Sequence, residues 1–396
     1  MIAKEIETSL NRSSWIRRVF DQGHELKKEF GAENVFDFSL GNPVVEPPKE
    51  FAAGIKSILE DNKKGKHRYM LNAGLDEVRE YVAQELAEDF NLPIKKEQVV
   101  MTVGAGGALN VIFKSILNAG DEVLAFAPYF MEYEFYVSNH GGRLKVSKTD
   151  ANFQPNLENF KKDLTYEVRA VLVNSPNNPT GVVYNQEKID GIVKIIQEAE
   201  KIYGHPIYLI SDEPYRSLIY DQSEQGSVLN AHEHSVLVTS HSKDYGLAGE
   251  RIGYIAVNPL MKDWKKLIAG LIFSTRILGF VNAPALMQRV LPYLKTANTS
   301  KDHYQELRDI TVQMFRDLGY EFVVPQGAFF IFPKSPLADE VKFVELALKH
   351  RILLVPGRGF GCEEHFRFSY SVEKYTLERS KTQFLKLQED VNSYSA

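Results

Sequence analysis

Short apolar segments alternate with amphipathic segments between about residues 75 and 260. The apolar segments are rich in β-branched residues and lack a polar alternation, which predicts strands that are buried on both faces. They are QVVMTV (98–103), EVLAFA (122–127), AVLVNS (170–175), IYLISD (207–212), SVLVTS (235–240) and YIAVN (254–258). Apolar residues recur at helical spacing in the intervening segments, such as GGALNVIFKSILN and EKIDGIVKIIQEAEKIY. We therefore predict an α/β fold with a mostly parallel central sheet and crossover helices.

Polar clusters follow the predicted strands. They are GAGG, PYF, NSPNNPTG, DEPY and SHSK. In open α/β sheets, ligands bind beyond the carboxyl ends of the strands. The sequence thus predicts that these clusters meet at one ligand site.

The pattern changes near residue 285. Long amphipathic helices are followed there by the short strand candidates YEFVVP, GAFFIFP and HFRFSYS, which is typical of an α+β domain. The N-terminal segment reads as an amphipathic arm, and GNPVVEPP (41–48) as an extended crossing. We expect residues 1–45 to form the arm and part of a small domain, residues 46–280 a large domain, and residues 281–396 the rest of the small domain.

Composition and charge narrow the possible partners. The 396 residues are 44% hydrophobic and 25% charged, with a net charge of −5 and a pI near 6.1, so we expect no binding to nucleic acid or to an anionic membrane.

The first residues include acids and resemble no secretory signal. Arg276 interrupts the most apolar segment, LIAGLIFSTRILGFVNAPAL, so we expect no membrane-spanning helix there. Cys362 is the single cysteine, which favours a reducing, cytoplasmic setting, and we expect no metal site.

The segment SHSKDYGLAGERIG (240–253) places Lys243 among small residues directly after an apolar strand. A lysine amine becomes a nucleophile toward carbonyls when burial or nearby positive charge lowers its pKa. Arg251 could supply that charge, or it could hold a phosphate beside the lysine.

This segment resembles the lysine segment of fold-type I pyridoxal-phosphate enzymes, specifically the class I/II aminotransferases and most nearly the aspartate aminotransferases. Four further motifs occur in the family's order, namely TVGAGGALN (102–110), APYF (127–130), NSPNNPTG (174–181) and SDEPY (211–215). The resemblance covers roughly residues 35 to 370. It implies the fold-type I architecture, pyridoxal 5'-phosphate as cofactor and a homodimer with shared active sites.

The resemblance also implies roles for the residues around the cofactor ring. Lys243 would bind the cofactor covalently as a Schiff base, and Asp212 would face the pyridine nitrogen. Asn178 and Tyr215 would form hydrogen bonds with the phenolic oxygen. Phe130 would stack on the ring.

The same resemblance places the cofactor phosphate at the glycine-rich turn. Ala105 and Gly106 would supply backbone donors at a helix N-terminus. Many relatives have a serine, threonine or aromatic residue in this turn, where this chain has Gly106. Ser240 and Arg251 would then carry more of the phosphate binding.

The resemblance implies that Arg367, Gly41, Asn42 and Asn178 line the substrate pocket, with Arg367 as the bidentate clamp for the α-carboxylate. RYMLNAGLDEVRE (68–80) matches a further segment of the family, except that Val78 replaces a leucine. Through this segment Tyr69 would reach the phosphate of the other subunit.

The implied reaction is transamination with ping-pong kinetics. Lys243 would move the α-proton of an L-amino acid, and 2-oxoglutarate would serve as acceptor. Arg276 lies near the place of an arginine that selects dicarboxylates, although the alignment could place Ile277 there, so aspartate is only slightly favoured as donor.

Two alternatives stay open. A carbon–sulfur β-lyase would share the fold, the lysine and the carboxylate clamp. A non-catalytic pyridoxal-binding regulator would need a DNA-binding module, and the roughly forty residues before GNP are too few for one.

Overall fold

The computed structural model describes residues 2–12, 14–297 and 299–395. The strands are β1 (Phe36–Asp37), β2 (Val99–Thr102), β3 (Glu122–Ala127), β4 (Arg143–Lys148), β5 (Val168–Asn174), β6 (Tyr208–Asp212), β7 (Ser235–Ser240), β8 (Gly253–Val257), β9 (Phe330–Ile331), β10 (Ile352–Leu353), β11 (Val355–Pro356) and β12 (Phe366–Ser369). The α-helices are α1 (Lys4–Arg12), α2 (Ser14–Phe30), α3 (Lys49–Glu60), α4 (Asp76–Phe90), α5 (Gly104–Ile116), α6 (Glu132–Ser138), α7 (Leu157–Asp163), α8 (Gln186–Tyr203), α9 (Val228–Ala231), α10 (Trp264–Ile277), α11 (Ala285–Val290), α12 (Lys301–Asp317), α13 (Glu340–Lys349) and α14 (Lys374–Ser395). Short 3-10 helices lie at Ala32–Asn34, Lys96–Gln98, Ala248–Glu250, Leu291–Leu294 and Gly357–Phe360.

A mixed sheet in the order β2-β8-β7-β6-β5-β3-β4 forms the centre of the molecule. Strands β4, β3, β5, β6 and β7 are parallel neighbours, whereas β8 runs antiparallel to both β7 and β2. The predicted α/β class is confirmed. Because Thr102 and Ser240 both pair with Gly253, the ends of β2 and β7 and the start of β8 meet at one edge.

The two faces of this sheet are both buried, which explains the continuous apolar strands. In β5, Leu172 packs with the cluster around α5 and α10, while Val171 and Val173 pack on the opposite face with α8. Successive strand residues point to opposite faces, so burial on both sides removes any polar alternation. The helices on both faces hold the carboxyl ends of the strands in fixed positions.

Strands β1, β4, β10 and β11 were not predicted, and one predicted strand does not form. Strand β4 was missed because RLKVSK lies at the sheet edge and exposes polar side chains. The strand predicted at YEFVVP is wrong, since residues 320–325 belong to no strand. Pro325 lacks an amide hydrogen, and the next two amides, of Gln326 and Gly327, both donate to the Gly181 carbonyl instead of to a ladder.

A second core joins the two ends of the chain. Strand β1 pairs in parallel with β10, and β12 lies between β9 and β11. Phe38 stacks on Phe368 with ring centroids 4.0 Å apart, and both rings contact Phe384 of α14. The domain limits near residues 45 and 280 stay a prediction.

The apolar segment around Arg276 forms α10 and the start of α11. Leu267 and Leu271 of α10 are buried in the protein core. Among the described residues, no helix is both long and apolar enough to cross a membrane.

We expect Gly253→Ala to destabilise the protein. A Cβ atom at Gly253 would lie 2.4 Å from the Thr239 carbonyl oxygen and 3.1 Å from the backbone of Gly104, so the backbone must move. The free energy of unfolding should fall by about 1–3 kcal/mol. Thermal unfolding measures this, with Gly249→Ala as control because a Cβ there meets no atom within 4 Å. Equal unfolding temperatures for the two variants would contradict the prediction.

Candidate active site

A cavity of 330 Å³ lies at the carboxyl edge of the parallel strands. Nearly all the side chains and backbone positions predicted for the site line it. They are Gly41, Ala105, Gly106, Phe130, Asn178, Asp212, Tyr215, Ser240, Lys243, Arg251 and Arg367. The fold therefore brings together residues that are more than 300 positions apart in the chain.

Lys243 lies in the turn after β7 and points its amine into the cavity. Its Nζ donates a hydrogen bond to the Gly41 carbonyl oxygen at 2.5 Å. Burial, which is the largest cause, and the charges of Arg367 and Arg251 together lower the pKa of Lys243 to about 8. A substantial fraction of the amine is therefore neutral near physiological pH.

Asp212 ends strand β6 and is only 4% exposed. Its Oδ2 accepts a hydrogen bond from Tyr133 Oη at 2.5 Å, whereas its buried Oδ1 has no partner among the described residues. Burial raises the pKa of Asp212 to about 7; the Tyr133 hydrogen bond opposes this shift, and the Glu213 charge adds to it. The free oxygen is suited to a cationic or N–H donor within the cavity.

Arg367 lies in β12 and is buried. Its guanidinium donates to Asn178 Oδ1 at 3.0 Å and to the Ser39 carbonyl oxygen at 2.7 Å. The guanidinium carbon lies 4.7 Å from the ring centroid of Phe330 and 4.8 Å from that of Phe360. No salt bridge to Arg367 is seen within the described residues, and burial lowers its pKa to about 10. A buried cation without a carboxylate partner favours an anionic ligand.

The turn after β5 positions Asn178 by side-chain hydrogen bonds. Asn174 Oδ1 accepts from the Asn178 amide at 2.8 Å, and Asn174 Nδ2 donates to the Asp212 carbonyl oxygen at 3.0 Å. Asn177 Oδ1 accepts from both the amide and the hydroxyl of Thr180. These asparagine side chains replace backbone turn bonds, so the NSPNNPTG loop is fixed beside the end of β6.

An anion cradle is formed by the start of α5, the end of β7 and Arg251. The amides in the first turn of α5 have no acceptor within the helix. Gly104 has φ of +70°, and a Cβ there would lie 2.7 Å from an Arg251 guanidinium nitrogen. A Cβ at Gly106 would lie 2.9 Å from Tyr136 Oη, and Ser240 also lines the cradle. Helix amides beside a guanidinium are suited to a phosphate.

The predicted residues Tyr69, Asn42 and Arg276 do not line this cavity. Tyr69 is 87% exposed, so its contact with another subunit stays a prediction. Asn42 uses its carbonyl oxygen to accept from Ser371. Arg276 lies at the surface, with its guanidinium carbon 5.0 Å from the centroid of the Phe273 ring.

Sequence reasoning missed eight cavity-lining residues: Leu109, Tyr133, Tyr136, Asn174, Pro214, Ser242, Ala248 and Phe330. A signal for the tyrosines was present, because Phe130, Tyr133 and Tyr136 recur at every third position. Tyr133 and Tyr136 lie three residues apart in α6 and share one of its faces, while Phe130 precedes the helix; all three line the cavity.

Three side chains away from the cavity are close enough to share a metal ion. Ligating atoms of Glu200, His232 and His234 lie within 4.8 Å of one another. Glu200 Oε1 also accepts from the Ile207 amide at 2.8 Å, and His232 bonds the Ile207 carbonyl oxygen. These bonds join the end of α8 to the start of β6, at the amino edge of the sheet.

Residues 33–380 match the family model described as aminotransferase class I and II. The chain belongs to this family. An amino transferase crystal structure from Eubacterium rectale superposes with a TM-score of 0.94 at 33% identity, covering 99% of this chain and 100% of that one. The aspartate aminotransferase of Thermotoga maritima is 33% identical, over 87% of this chain and 89% of its own. The aspartate/prephenate aminotransferase of Thermus thermophilus is 30% identical, over 88% and 90%.

Family membership makes this chain a transaminase, and the family generally depends on pyridoxal phosphate. The expected relationship to aspartate aminotransferases is confirmed, as are the fold class and the enzyme class. An aspartate aminotransferase structure of Thermus thermophilus with maleate superposes with a TM-score of 0.84 at 27% identity, covering 93% of this chain and 95% of that one.

We expect Tyr133→Phe to raise the pKa of Asp212 above about 7, because the lost hydrogen bond favours the charged carboxylate. Infrared difference spectroscopy of the apoprotein would follow the carboxyl band that Asp212→Asn removes. Tyr184→Phe is the control, since Tyr184 is equally buried but lies in another core cluster. An unchanged midpoint in Tyr133→Phe would contradict the role given to this hydrogen bond.

Proposed function

We propose that this chain binds pyridoxal 5'-phosphate and transfers the amino group of L-aspartate to 2-oxoglutarate by a ping-pong mechanism. The observation that carries the proposal is the shared cavity of Lys243, Asp212 and Arg367. It combines a buried amine of lowered pKa, a buried carboxylate with a free oxygen and a buried guanidinium without a carboxylate. Aspartate is the donor favoured by the names of the relatives and by the maleate-bound neighbour, since maleate is also a dicarboxylate.

The residues present fit pyridoxal phosphate. The free Oδ1 of Asp212 is satisfied by a protonated ring nitrogen, and the cradle around Gly104 and Arg251 accepts a phosphate. Phe130 lines the same cavity and offers a ring face. When bound, the cofactor supplies an aldehyde for an amine and a conjugated ring that takes up the electron pair left by the departing α-proton.

Each polar group of the chain then has a separate task. Arg367 binds the α-carboxylate of the amino acid through two parallel N–H donors. Lys243 Nζ takes the α-proton in its neutral form and returns a proton in its ammonium form, which its pKa of about 8 permits near neutrality. Asn178 and Tyr215 line the cavity beside these groups and supply hydrogen bonds to the phenolic oxygen.

In this proposal, residues of a second subunit contact both the side chain of the amino-acid substrate and the phosphate of the cofactor. Tyr69, Leu71, Phe273 and Ile277 are apolar or aromatic residues that stay largely exposed. Such residues are suited to a buried homodimer interface. Across it, Tyr69 would reach the phosphate of the other active site, and Arg276 would bind the distal carboxylate of aspartate. A cytoplasmic location likewise stays a prediction.

We expect Lys243 in the apoprotein to titrate near pH 8, and Arg367→Met to raise its pKa because one neighbouring positive charge is removed. Amine labelling at a series of pH values, followed by peptide mass analysis, measures the neutral fraction. Arg379→Met is the control, since Arg379 bonds the Glu33 carbonyl oxygen far from the cavity. Identical labelling curves in both variants would refute the coupling of Lys243 to Arg367.

The function itself is tested on protein reconstituted with pyridoxal phosphate. Oxaloacetate should form from L-aspartate over repeated turnovers only when 2-oxoglutarate is present, and without it at most one oxaloacetate per bound cofactor should form. Double-reciprocal plots should be parallel. Borohydride reduction and peptide mapping should label Lys243. Lys243→Ala should lower kcat by about 100-fold or more, whereas Lys262→Ala at an exposed lysine should not.

Two outcomes would contradict this function. An unlabelled Lys243 would remove the proposed covalent anchor. Pyruvate released from cystathionine without any amino acceptor would identify a β-lyase instead.

A screen of amino donors on the same sample would show whether the rate with aspartate exceeds the rates with neutral amino acids. Arg276→Ala should reduce only the activity with dicarboxylates.

A further inference from the structure

Helix α6 directs two tyrosine hydroxyls toward the cavity. Tyr133 and Tyr136 lie three residues apart and therefore share one helix face. Tyr133 Oη is bonded to Asp212, at the end of β6. Tyr136 Oη lies instead beside Gly106, in the first turn of α5. The two hydroxyls thus reach different parts of the cavity wall.

The Tyr136 hydroxyl takes the space that a side chain at position 106 would need. A Cβ on Gly106 would lie 2.9 Å from Tyr136 Oη and 3.5 Å from Cζ. The Arg251 guanidinium likewise takes the space beside Gly104, because a Cβ on Gly104 would lie 2.7 Å from a guanidinium nitrogen of Arg251. The first turn of α5 therefore carries no side chain at either glycine, and two side chains from elsewhere in the fold approach it.

Tyr136 is available as a hydrogen-bond donor. Its ring lines the cavity, and its hydroxyl has no hydrogen-bond partner among the described residues. Burial is the largest cause that raises the pKa of Tyr136 to about 12; the carboxylates of Glu132 and Asp212 contribute to this shift, and Arg251 opposes it. The phenol is therefore protonated at neutral pH, and its proton can be donated to an anion held by Arg251 and the α5 amides.

We propose that Tyr136 Oη donates a hydrogen bond to the phosphate bound at the start of α5, in the place that a side chain at position 106 would otherwise fill. This inference rests on the proposed function, because the phosphate is that of the cofactor. It makes Tyr136 a binding residue in addition to Ser240, Arg251 and the helix amides.

Spectroscopic titration of the apoprotein tests the inference without an activity measurement. Tyr136→Phe should raise the Kd for pyridoxal phosphate about 10-fold or more, as expected for a lost hydrogen bond to a charged group. Tyr208→Phe should leave that Kd unchanged, because Tyr208 is likewise half-buried and packs on the same core cluster but lies at the amino end of β6. Pyridoxal, which lacks the phosphate, should bind Tyr136→Phe as it binds the unaltered chain.

Substitutions at Gly106 supply a second, independent test. In the Tyr136→Phe background, Gly106→Ser returns a hydroxyl to the same space and should recover most of the lost affinity. In the unaltered background, Gly106→Ala displaces the Tyr136 hydroxyl without replacing it, so it should weaken binding more than Gly106→Ser does. This second pair retains Tyr136 and gives an answer even if Tyr136→Phe fails to fold.

The outcomes separate this inference from the function on which it rests. An unaltered chain that binds no pyridoxal phosphate overturns both. If the unaltered chain binds it and Tyr136→Phe binds equally well, only the role of Tyr136 is refuted. An equal loss of affinity for pyridoxal and for pyridoxal phosphate would show that the hydroxyl contacts the ring, which would overturn its assignment to the phosphate.

Discussion

The burial of three ionisable side chains in one cavity is the constraint that the surrounding structure has to meet. Lys243, Asp212 and Arg367 each have a pKa displaced mainly by burial, and they line one cavity. Burying ionisable groups is costly unless partners satisfy them. The protein supplies only some of the hydrogen-bond partners that these groups need, through Tyr133, carbonyl oxygens and Asn178. The groups that still lack a partner favour a ligand with a cationic or donor group on one side and anionic groups on the others.

The sheet makes this burial possible. Its strands are apolar on both faces, so helices pack on both sides and only the strand ends are open to carry polar groups. At the carboxyl ends of β5 and β6, Asn174 pairs with Asp212, and β7 continues two residues beyond the partner of Asp212 to Ser240. β8 runs in the opposite direction, so its first residue, Gly253, joins the same edge and brings Arg251 with it.

The sequence predicts those features of the fold and the site that depend on local patterns or on motifs. The central strands were predictable because their apolar runs are continuous, and the cavity residues were predictable because each follows such a run. Strand β4 was not, since an edge strand lacks that pattern. The YEFVVP segment has strand composition, but its neighbouring amides bond Gly181, a partner about 145 positions away. The spacing of Tyr133 and Tyr136 indicates a shared helix face, but it does not indicate that this face lies toward Asp212 and the first turn of α5.

The pairing of β1 with β10 has a consequence for how the protein is made. Residues 36–41 place the carbonyl oxygens of Ser39 and Gly41 against Arg367 and Lys243. Residues 36–39 are thus held by residues that the ribosome adds more than 300 positions later. The central sheet has all its strands once residue 257 has been translated, but the cavity is incomplete until residue 367 emerges. Nascent chains therefore cannot hold an assembled site during most of their synthesis, and a chain truncated before β12 would retain the sheet sequence while lacking the guanidinium that completes the site.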